Sequence, residues 1–428
     1  MTDSLATPAT ADAREDRRRY VLVGTGNRGT TMWGRELLEG WGDRVELVGI
    51  CDTNSMRAER ARAMMPTNAP IWTDLAECIA QTRPDLVIVC TPDDTHDDIV
   101  VAALEAGADV ITEKPMVTTA AKIARIRAAE KRTGRRVDVS FNYRFAPAAR
   151  KIRELIAEGA IGTVTSVDFH WYLDTDHGAD YFRRWHGFRE RSGSLFVHKA
   201  THHFDLLNWY LGTDPVEVMA AAELRNYGAN GPFRGERCHG CAHADECDYF
   251  FDMEADPFLW PLYGDPAGED GYFRDACVFR KEIDIPDTMA ATIRYANGVI
   301  ASYSLNTYMP IEGHHIAFNG TGGRIELRQY ERQPWEVDGK DEVHLIRNFT
   351  GNREVIAIPK EAGGHYGGDN RMRNTMFRGA PDPLKQRAGS RAGAMSVLTG
   401  IAALRSADEG RSVLISEIVT DDLDLALD

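Results

Sequence analysis

The sequence predicts two domains, an N-terminal α/β domain with a parallel sheet and a C-terminal α+β domain built on a mostly antiparallel open sheet. Three observations predict this division. Apolar strands alternate with helical segments up to about Asn142. A glycine-rich turn follows the first strand. Beyond Asn142 the pattern changes to short strands separated by Asn-Gly or Gly-Gly turns.

The first predicted strand, Tyr20 to Val23, leads directly into a G-x-G-x-x-G turn, and a helix from Thr30 to Leu38 follows. In a Rossmann fold the first glycine permits the tight turn, the second lets the backbone approach a pyrophosphate, and the third allows the helix to pack closely. The turn consists of Gly24, Thr25, Gly26, Asn27, Arg28 and Gly29. This order of strand, turn and helix predicts a bound dinucleotide.

A second strand, Val45 to Ile50, ends at Asp52. A carboxylate in this place can accept hydrogen bonds from both ribose hydroxyls and repels a 2′-phosphate, so we expect NAD rather than NADP. Arg28 and Arg57 leave NADP open, because either guanidinium can neutralise such a phosphate.

Later strands also end in polar residues, at the sheet edge where ligands of such folds bind. Leu86 to Cys90 is followed by Thr91, Pro92 and His96, and Asp109 to Thr112 is followed by Glu113-Lys114-Pro115. The expected cofactor-binding residues are Gly24, Gly26, Asn27, Arg28, Gly29, Asp52, Thr91, Pro92, His96, Glu113, Lys114 and Asn142.

We assign residues 20–142 to the Rossmann domain and residues 143–428 to a substrate-binding domain. Predicted strands of the second domain are Thr163 to Trp171, Ala291 to Tyr295, Val299 to Leu305, His315 to Asn319 and Arg324 to Leu327, with helices from Thr201 to Leu211 and from Arg391 to Ala407.

Composition narrows the function classes. The chain has 428 residues, 43% of them hydrophobic, and a net charge of -15, which disfavours nucleic acid and anionic membranes as partners. No apolar run approaches the roughly 20 residues of a spanning helix. Residues 1–19 are polar and lack an apolar signal core, so we expect a disordered leader on a cytoplasmic protein.

These motifs resemble the Gfo/Idh/MocA (glucose-fructose oxidoreductase/inositol dehydrogenase) family. The resemblance rests on the glycine turn, Thr91-Pro92 with His96, Glu113-Lys114-Pro115, Asn142-Tyr143-Arg144 and the segment from His198 to Asp205. It implies an NAD-dependent oxidoreductase, a sugar or polyol in the interdomain cleft, and a homo-oligomer formed through the open sheet.

The family's active site combines the lysine of the Glu-Lys-Pro segment with a D-x-G-x-H-x-x-D string. Lys114 matches the lysine, His202 the histidine and Asp205 the last aspartate, whereas His198 replaces the first aspartate and Ala200 the glycine. If the stretch is one helix, the i, i+4 spacing places His198 and His202 on one face.

Oxidation of a carbinol requires a base for the hydroxyl proton, and histidine is the natural candidate. We therefore assign the base to His202, the stabilisation of alkoxide charge to Lys114, and a second base to His198. The alternatives are a solvated lysine and packed helix histidines, and for His203 we favour packing.

Aromatic and charged residues between the first strand of the second domain and this segment suit a carbohydrate, although core packing explains the aromatic residues equally well. The expected substrate-binding residues are Lys114, Arg144, Trp171, Tyr181, Arg184, His198, His202 and Asp205.

An insertion of about residues 227–283 contains Cys238, Cys241 and Cys247, and Cys277 lies near its end. Four thiols match a closed structural zinc site, with His239 and His243 as spare ligands. An iron–sulfur cluster is the less expected occupant, and unpaired or oxidised cysteines are the alternative. We expect the insertion to lie beside the sheet, with the cleft as one place it can cover.

Three functions remain open at this point. The leading one is an NAD-dependent dehydrogenase acting on a secondary hydroxyl of a sugar, sugar derivative or inositol. The second is an enzyme with tightly bound NAD that cleaves or epimerises glycosides by transient oxidation, elimination and re-reduction. The third is a non-catalytic nucleotide-sensing regulator, which the presence of Lys114 and His202 disfavours.

Overall fold

The computed structural model describes residues 17–336, 339–419 and 423–425. The predicted leader therefore lies mostly outside the described residues. Its last two residues belong to the first strand, which begins at Arg18.

The first sheet is the predicted nucleotide-binding sheet. Its strands are β1 (Arg18–Val23), β2 (Val45–Cys51), β3 (Ile71–Trp72), β4 (Leu86–Val89), β5 (Asp109–Thr112), β6 (Val137–Val139) and β15 (Ala388–Gly389), in the spatial order β15-β6-β5-β4-β1-β2-β3. All neighbours are parallel except β15, which pairs antiparallel with β6. The strand order reverses between β1 and β4, so the cleft of this fold lies at their carboxyl ends.

The strands of this sheet are apolar because helices cover both faces. Every residue of β4 is buried. The helices of this half are α1 (Glu36–Trp41), α2 (Ser55–Ala63), α3 (Leu75–Thr82), α4 (His96–Glu105) and α5 (Ala120–Thr133), and a π-helix, Gly29–Arg35, precedes α1.

The second sheet is mostly antiparallel, as predicted. Its strands are β7 (Val164–Asp174), β8 (Pro215–Glu223), β9 (Thr288–Tyr295), β10 (Ile300–Met309), β11 (Glu312–Gly320), β12 (Gly323–Arg332), β13 (Lys340–Arg347), β14 (Arg353–Pro359) and β16 (Val413–Leu414), in the order β14-β13-β12-β11-β7-β10-β9-β8-β16. Within it β7 and β10 run parallel. Alternation of buried and exposed residues, clearest in β9, shows that one face packs on the core.

The remaining helices are α6 (Pro147–Ala157), α7 (Thr175–Arg183), α8 (Arg189–Ser192), α9 (Leu195–His198), α10 (Ala200–Leu211), α11 (Leu259–Tyr263), α12 (Ala267–Asp270), α13 (Gly368–Phe377) and α14 (Ser390–Glu409). The long helix α14 packs against α9, α10 and β8, and it also contacts α5 and β6 of the first domain. It therefore joins the two sheets. Among helices in the described part of the chain, none combines the length and apolar character needed to cross a bilayer.

The insertion docks on the nucleotide-binding domain. Leu259, Leu262 and Tyr263 share a hydrophobic core with residues of the π-helix and α2. The insertion therefore lies at the cleft, which the sequence analysis named as one place that it can cover.

Candidate active site

The glycine turn has the backbone geometry that its sequence predicts. Gly24 has φ +90°, and a Cβ there would lie 2.7 Å from the carbonyl oxygen of Cys90. A Cβ on Gly29 would lie 2.1 Å from the carbonyl oxygen of Gly24. Neither position accepts a side chain, so the turn stays narrow and its helix starts close to β1.

Arg28 is held in place by two carboxylates. Its Nε donates to Glu113 Oε1 at 2.8 Å, and its Nη1 lies 3.2 Å from Asp369 Oδ2. Glu113 also accepts a 2.7 Å hydrogen bond from Trp33 Nε1. Because Arg28 is clamped in this way, it is not free to bind a 2′-phosphate, and Glu113 braces the turn.

Asp52 lies at the carboxyl end of β2, where the sequence predicts a ribose-binding acid. Its Oδ2 accepts 2.7 Å hydrogen bonds from the backbone N–H and the hydroxyl of Thr25, which fix the carboxylate beside the glycine turn. Arg57 Nη2 pairs with Asp270 of the insertion at 2.7 Å, and Arg57 Nη1 is 3.9 Å from Asp52 Oδ1. Arg28 and Arg57, the two arginines that could neutralise the 2′-phosphate of NADP, are therefore both paired with carboxylates.

The insertion closes one side of the nucleotide cleft. The Tyr263 hydroxyl accepts a 2.7 Å hydrogen bond from the backbone N–H of Asn27, and Asn54 Nδ2 donates to the carbonyl oxygen of Pro266 at 2.7 Å. Ser55 Oγ donates to Glu269 at 3.0 Å. These bonds tie the insertion to the glycine turn and to the start of α2.

A cavity of about 760 Å³ lies between the glycine turn, the strand ends and the insertion. Its lining includes Gly26, Asp52, Thr91, Arg184, Tyr263 and Asp270. The narrow glycine turn and the acid at the end of β2 fit an NAD molecule, whose pyrophosphate needs close backbone approach and whose ribose needs an acceptor.

Two expected cofactor residues serve as braces instead. His96 is fully buried, with Nδ1 3.0 Å from the carbonyl oxygen of Pro115 and Nε2 2.9 Å from that of Thr91. Asn142 is also buried and donates from Nδ2 to Asp369 at 2.6 Å. They hold the loops that line the cleft through these bonds. Direct cofactor contact by either residue stays a prediction.

Lys114 and His198 meet at the end of β5, and Asp93 lies behind them. Lys114 Nζ is 3.4 Å from His198 Nε2 and donates to the His198 carbonyl oxygen at 3.3 Å. His198 Nδ1 is 2.5 Å from Asp93 Oδ2. When Lys114 is an ammonium group, Nε2 must accept, so Nδ1 carries the proton and donates it to Asp93. Burial raises the pKa of the Asp93 carboxyl well above its usual value, and the charge of Lys114 acts in the opposite direction.

This environment changes the protonation of Lys114. Burial lowers the pKa of Lys114 to about 7, and the charge of Asp93 is the main influence in the opposite direction. Burial also lowers the pKa of His198 well below its usual value, with the Lys114 charge adding to this effect.

The sequence placed His198 and His202 on one face only on the condition that they share a helix. Helix α9 ends at His198 and α10 begins at Ala200, and Lys199 between them keeps helical dihedral angles of φ -92° and ψ -47°. Both nitrogens of His198 are also occupied. His198 therefore positions Lys114 and has no free nitrogen for a second base.

His202 keeps an unpaired nitrogen. Its Nδ1 is buried without a hydrogen-bond partner, and the ring lies edge-on to Tyr143 at a centroid distance of 4.7 Å. Burial, with the charges of Lys114 and Lys199, lowers the pKa of His202 well below its usual value. His202 is therefore a neutral imidazole. The neighbouring His203 lies 2.7 Å from the Tyr303 hydroxyl in the core, which agrees with the packing role.

Arg144 and Asp205 form a buried ion pair with N···O distances of 2.7 and 2.6 Å. Trp171 has no exposed surface and is stacked between His203 and His314, at centroid distances of 4.1 and 4.6 Å. The ion pair and the stacking engage these side chains within the core, although Trp171 Nε1 has no hydrogen-bond partner among the described residues. Substrate contact by these three residues stays a prediction.

Tyr181 and Arg184 remain near the site. The Tyr181 hydroxyl is 3.1 Å from His177 Nε2, and His177 Nδ1 is 2.6 Å from Glu312. Burial opposes ionisation of Glu312, but the hydrogen bond from His177 holds the pKa of Glu312 at about 2. Arg184 pairs with Asp180 at 3.0 Å and lines the nucleotide cavity.

The zinc prediction is not supported. Within residues 17–336, 339–419 and 423–425, no group of three or more His, Cys, Asp or Glu side chains is placed to hold a metal. The thiol of Cys277 instead accepts from the backbone N–H of Phe279 at 3.4 Å. Burial raises the pKa of Cys238 and of Cys247. The spare ligands His239 and His243 lie beside Glu254 and Glu246, at 3.2 and 2.6 Å.

Several residues of the site carried no usable signal in the sequence. Asp93 follows the Thr91-Pro92 motif, Lys199 lies within the segment from His198 to Asp205 at a position with no expected role, and Tyr263 lies within an insertion. An acid directly after Thr91-Pro92 was the one available hint, since strand ends in such sheets face the cleft.

Comparison with known proteins identifies the family. Residues 18–141 match the oxidoreductase family described as having an NAD-binding Rossmann fold, and residues 153–415 match its C-terminal alpha/beta domain. The chain belongs to the Gfo/Idh/MocA oxidoreductase family. It is thus an enzyme of the NAD(P)-dependent oxidoreductase type, as its motifs predicted.

Similar proteins include a Bacillus subtilis (strain 168) protein, YteT, whose name is that of a proposed oxidoreductase. It is 37% identical over 423 residues, which cover 94% of this chain and 98% of YteT. The inositol 2-dehydrogenase of Rhizobium meliloti (strain 1021) is 33% identical over 206 residues, covering 48% of this chain and 58% of that protein. The structure of the Bordetella pertussis WlbA dehydrogenase with NADH and UDP-GlcNAcA shares the fold, with a TM-score of 0.65, 21% identity, and coverage of 95% of this chain and 99% of that one.

Proposed function

We propose that this Gfo/Idh/MocA protein is an NAD-dependent dehydrogenase that oxidises a secondary hydroxyl of a sugar, sugar derivative or inositol. The contact of Lys114 with His198 and, beyond it, Asp93 carries this proposal. It sets a titratable amine beside the nucleotide cleft. The name of the inositol 2-dehydrogenase relative supports a polyol or sugar as the substrate class.

Lys114 is the better base in this site. With a pKa of about 7, it exists as both amine and ammonium near neutral pH, which suits proton transfer in either direction. The amine accepts the hydroxyl proton, and the resulting ammonium is stabilised by His198 Nε2 and by the charge of Asp93. This reverses the roles suggested by sequence, in which His202 was the base.

His202 acts in this proposal as a neutral hydrogen-bonding partner of the same hydroxyl. Its depressed pKa keeps it uncharged, so it can orient the oxygen without competing for the proton. Its edge contacts with Phe141 and Tyr143 fix the ring.

NAD, when bound, supplies the hydride acceptor. The residues that would hold it are those of the glycine turn, Asp52 and Thr91. We propose NAD rather than NADP because Asp52, Asp74 and Asp270 all line the cavity and repel a 2′-phosphate, while Arg28 and Arg57 are already paired.

The experiment is a panel of sugars, glycosides and inositols incubated with protein and NAD⁺, with NADH absorbance and product mass read together. Lys114→Met should lower turnover about 10²- to 10⁴-fold while NAD⁺ affinity changes little. Lys151→Met, on the surface of α6, is the matched control and should keep full activity. A Lys114→Met enzyme that retains most of its rate would refute the assignment.

The second function, with tightly held NAD, gains one supporting observation. Three residues of the insertion form part of the cavity lining, namely Tyr263, Asp270 and Tyr272. Release of the nucleotide therefore requires the insertion to move away from the cavity. NAD that copurifies with the protein, together with products formed from glycosides without net NADH formation, would favour this second function. Cytoplasmic location, a homo-oligomer and the domain division at residues 142 and 143 stay predictions.

A further inference from the structure

Lys199 is a buried lysine whose ammonium group has no direct partner. Its side chain is 3% exposed, and its Nζ lies above the rings of Trp171 and Tyr143 at 5.1 and 5.7 Å. Among the residues that the structure describes, none forms a hydrogen bond or ion pair with this Nζ. The aromatic rings are its nearest recorded partners.

An arrangement of this kind is unfavourable in the free protein. Lys199 Nζ is not one of the fully enclosed side-chain atoms without a partner, so it faces a space that solvent can reach. Contacts with aromatic faces compensate only part of the cost of withdrawing an ammonium group from bulk water. The carboxylates that influence Lys199 act at longer range, because Glu312 already binds His177 at 2.6 Å and Glu331 accepts from Tyr366 at 3.3 Å. The ammonium group of Lys199 therefore has N–H donors available for an acceptor on a bound ligand.

Lys199 shares its surroundings with the reacting groups. It directly follows His198, and the Tyr143 ring that it overlies is also in edge contact with His202. The charges of Lys114 and Lys199 both act on His202. A substrate whose hydroxyl reaches Lys114 and His202 thus has another of its groups close to Lys199.

We propose that Lys199 binds a carboxylate of the substrate, so that the substrate class is an anionic sugar such as a uronate or a saccharide that carries one. This proposal rests on the proposed function and names the substrate of the same site. A neutral hydroxyl would leave the ammonium group without a direct anionic partner, because Glu312 and Glu331 act on it only at longer range. A sugar phosphate fits less well, because Glu312 and Glu331 repel a dianion more strongly than a monoanion.

The test compares matched sugars that differ in one group: D-glucuronate with D-glucose, and D-galacturonate with D-galactose, each also as the methyl glycoside. For each pair, kcat/KM with NAD⁺ and the Kd of the NAD⁺-loaded protein by calorimetry are measured. D-Glucose 6-phosphate is included as the phosphate probe. The proteins are wild type, Lys199→Met, Lys199→Arg and the surface control Lys151→Met.

The proposal predicts that wild type prefers uronates and that Lys199→Met loses this preference by about 10- to 100-fold, the usual range for one charge-assisted hydrogen bond. Lys199→Arg should retain part of the preference for uronates, and Lys151→Met should retain all of that preference. The melting temperature of Lys199→Met without sugar should stay unchanged or rise, because the variant removes an unpaired buried charge.

A wild-type enzyme that prefers neutral sugars or the phosphate would overturn the proposal for Lys199 and leave the dehydrogenase intact. Equal loss on both members of a pair, together with a lower melting temperature, would show that Lys199 only supports the fold. If no sugar is oxidised but uronate binds in a Lys199-dependent manner, the proposed function fails and the carboxylate site stands. If no uronate binds, the carboxylate site is refuted.

Discussion

Replacing Asp93 with Asn should move the pH profile of oxidation to lower pH. In the structure the Asp93 carboxylate favours the charged form of Lys114 through His198, so it raises the pKa of the lysine. Without that charge, less opposes the effect of burial, which lowers the pKa of Lys114. The pKa of Lys114 then falls, and the amine required for proton abstraction is present at more acidic pH.

The size of the shift follows from the geometry. Lys114 Nζ is 3.4 Å from one His198 nitrogen, and Asp93 Oδ2 is 2.5 Å from the other, so the two charges stand roughly 8 Å apart across the ring. At an effective dielectric constant of about 20, their interaction is about 2 kcal/mol, equivalent to about 1.5 pH. The acidic limb of kcat/KM, expected near pH 7 in wild type, should appear at about pH 5.5.

The assay follows NADH formation with saturating NAD⁺ across this range at constant ionic strength. Amine-reactive labelling of Lys114, read by mass spectrometry against pH, gives the same pKa without a substrate. Asp98→Asn is the matched control, because that carboxylate is exposed and pairs with Arg125 instead. An acidic limb that stays in place in Asp93→Asn, or moves to higher pH, would refute the coupling of Asp93 to Lys114.

Three further predictions concern the cofactor and the core. Asp52→Ala should narrow the preference for NAD over NADP about tenfold, measured as the ratio of the two Kd values. An unchanged ratio of Kd values would show that other residues of the cavity discriminate between the two cofactors. Arg144→Met should destabilise the protein by about 3–5 kcal/mol in urea unfolding, because it leaves Asp205 charged and buried, and adding Asp205→Leu should recover most of the loss. Activity lost at unchanged stability would instead return this pair to substrate binding. Tyr263→Ala should speed NADH release in stopped-flow fluorescence about tenfold by opening one side of the cavity, and an unchanged rate would exclude the insertion from nucleotide retention.

Much of the nucleotide half could be predicted because its signals are local. Gly24 and Gly29 are glycines for backbone reasons that a short segment determines, and buried parallel strands are continuous apolar runs. The second sheet was predicted from alternation and turns, but β8, β13, β14 and the two-residue β16 were missed. These strands lie toward the edges of that sheet.

The roles of single polar residues were harder to predict. Arg144, Asp205 and Trp171 had residue types suited to a sugar, yet the fold pairs or stacks all three in the core. His96 and Asn142 stand in the family's positions but bind loops rather than open space. Sequence position placed them near the cleft and could not show which neighbour their functional groups would meet.

The sequence by itself determined the two-domain architecture, the glycine turn and the placement of Lys114 at a strand end, because these depend on backbone conformation and on the periodicity of neighbouring residues. Only the tertiary structure decided that Asp93, 105 positions before His198, supplies the charge behind Lys114, and that the insertion borders the cofactor cavity. The physical reason is that pKa values and hydrogen-bond partners are set by burial and by side chains from distant segments, and those meet only when the two sheets, α9, α10 and the insertion pack together.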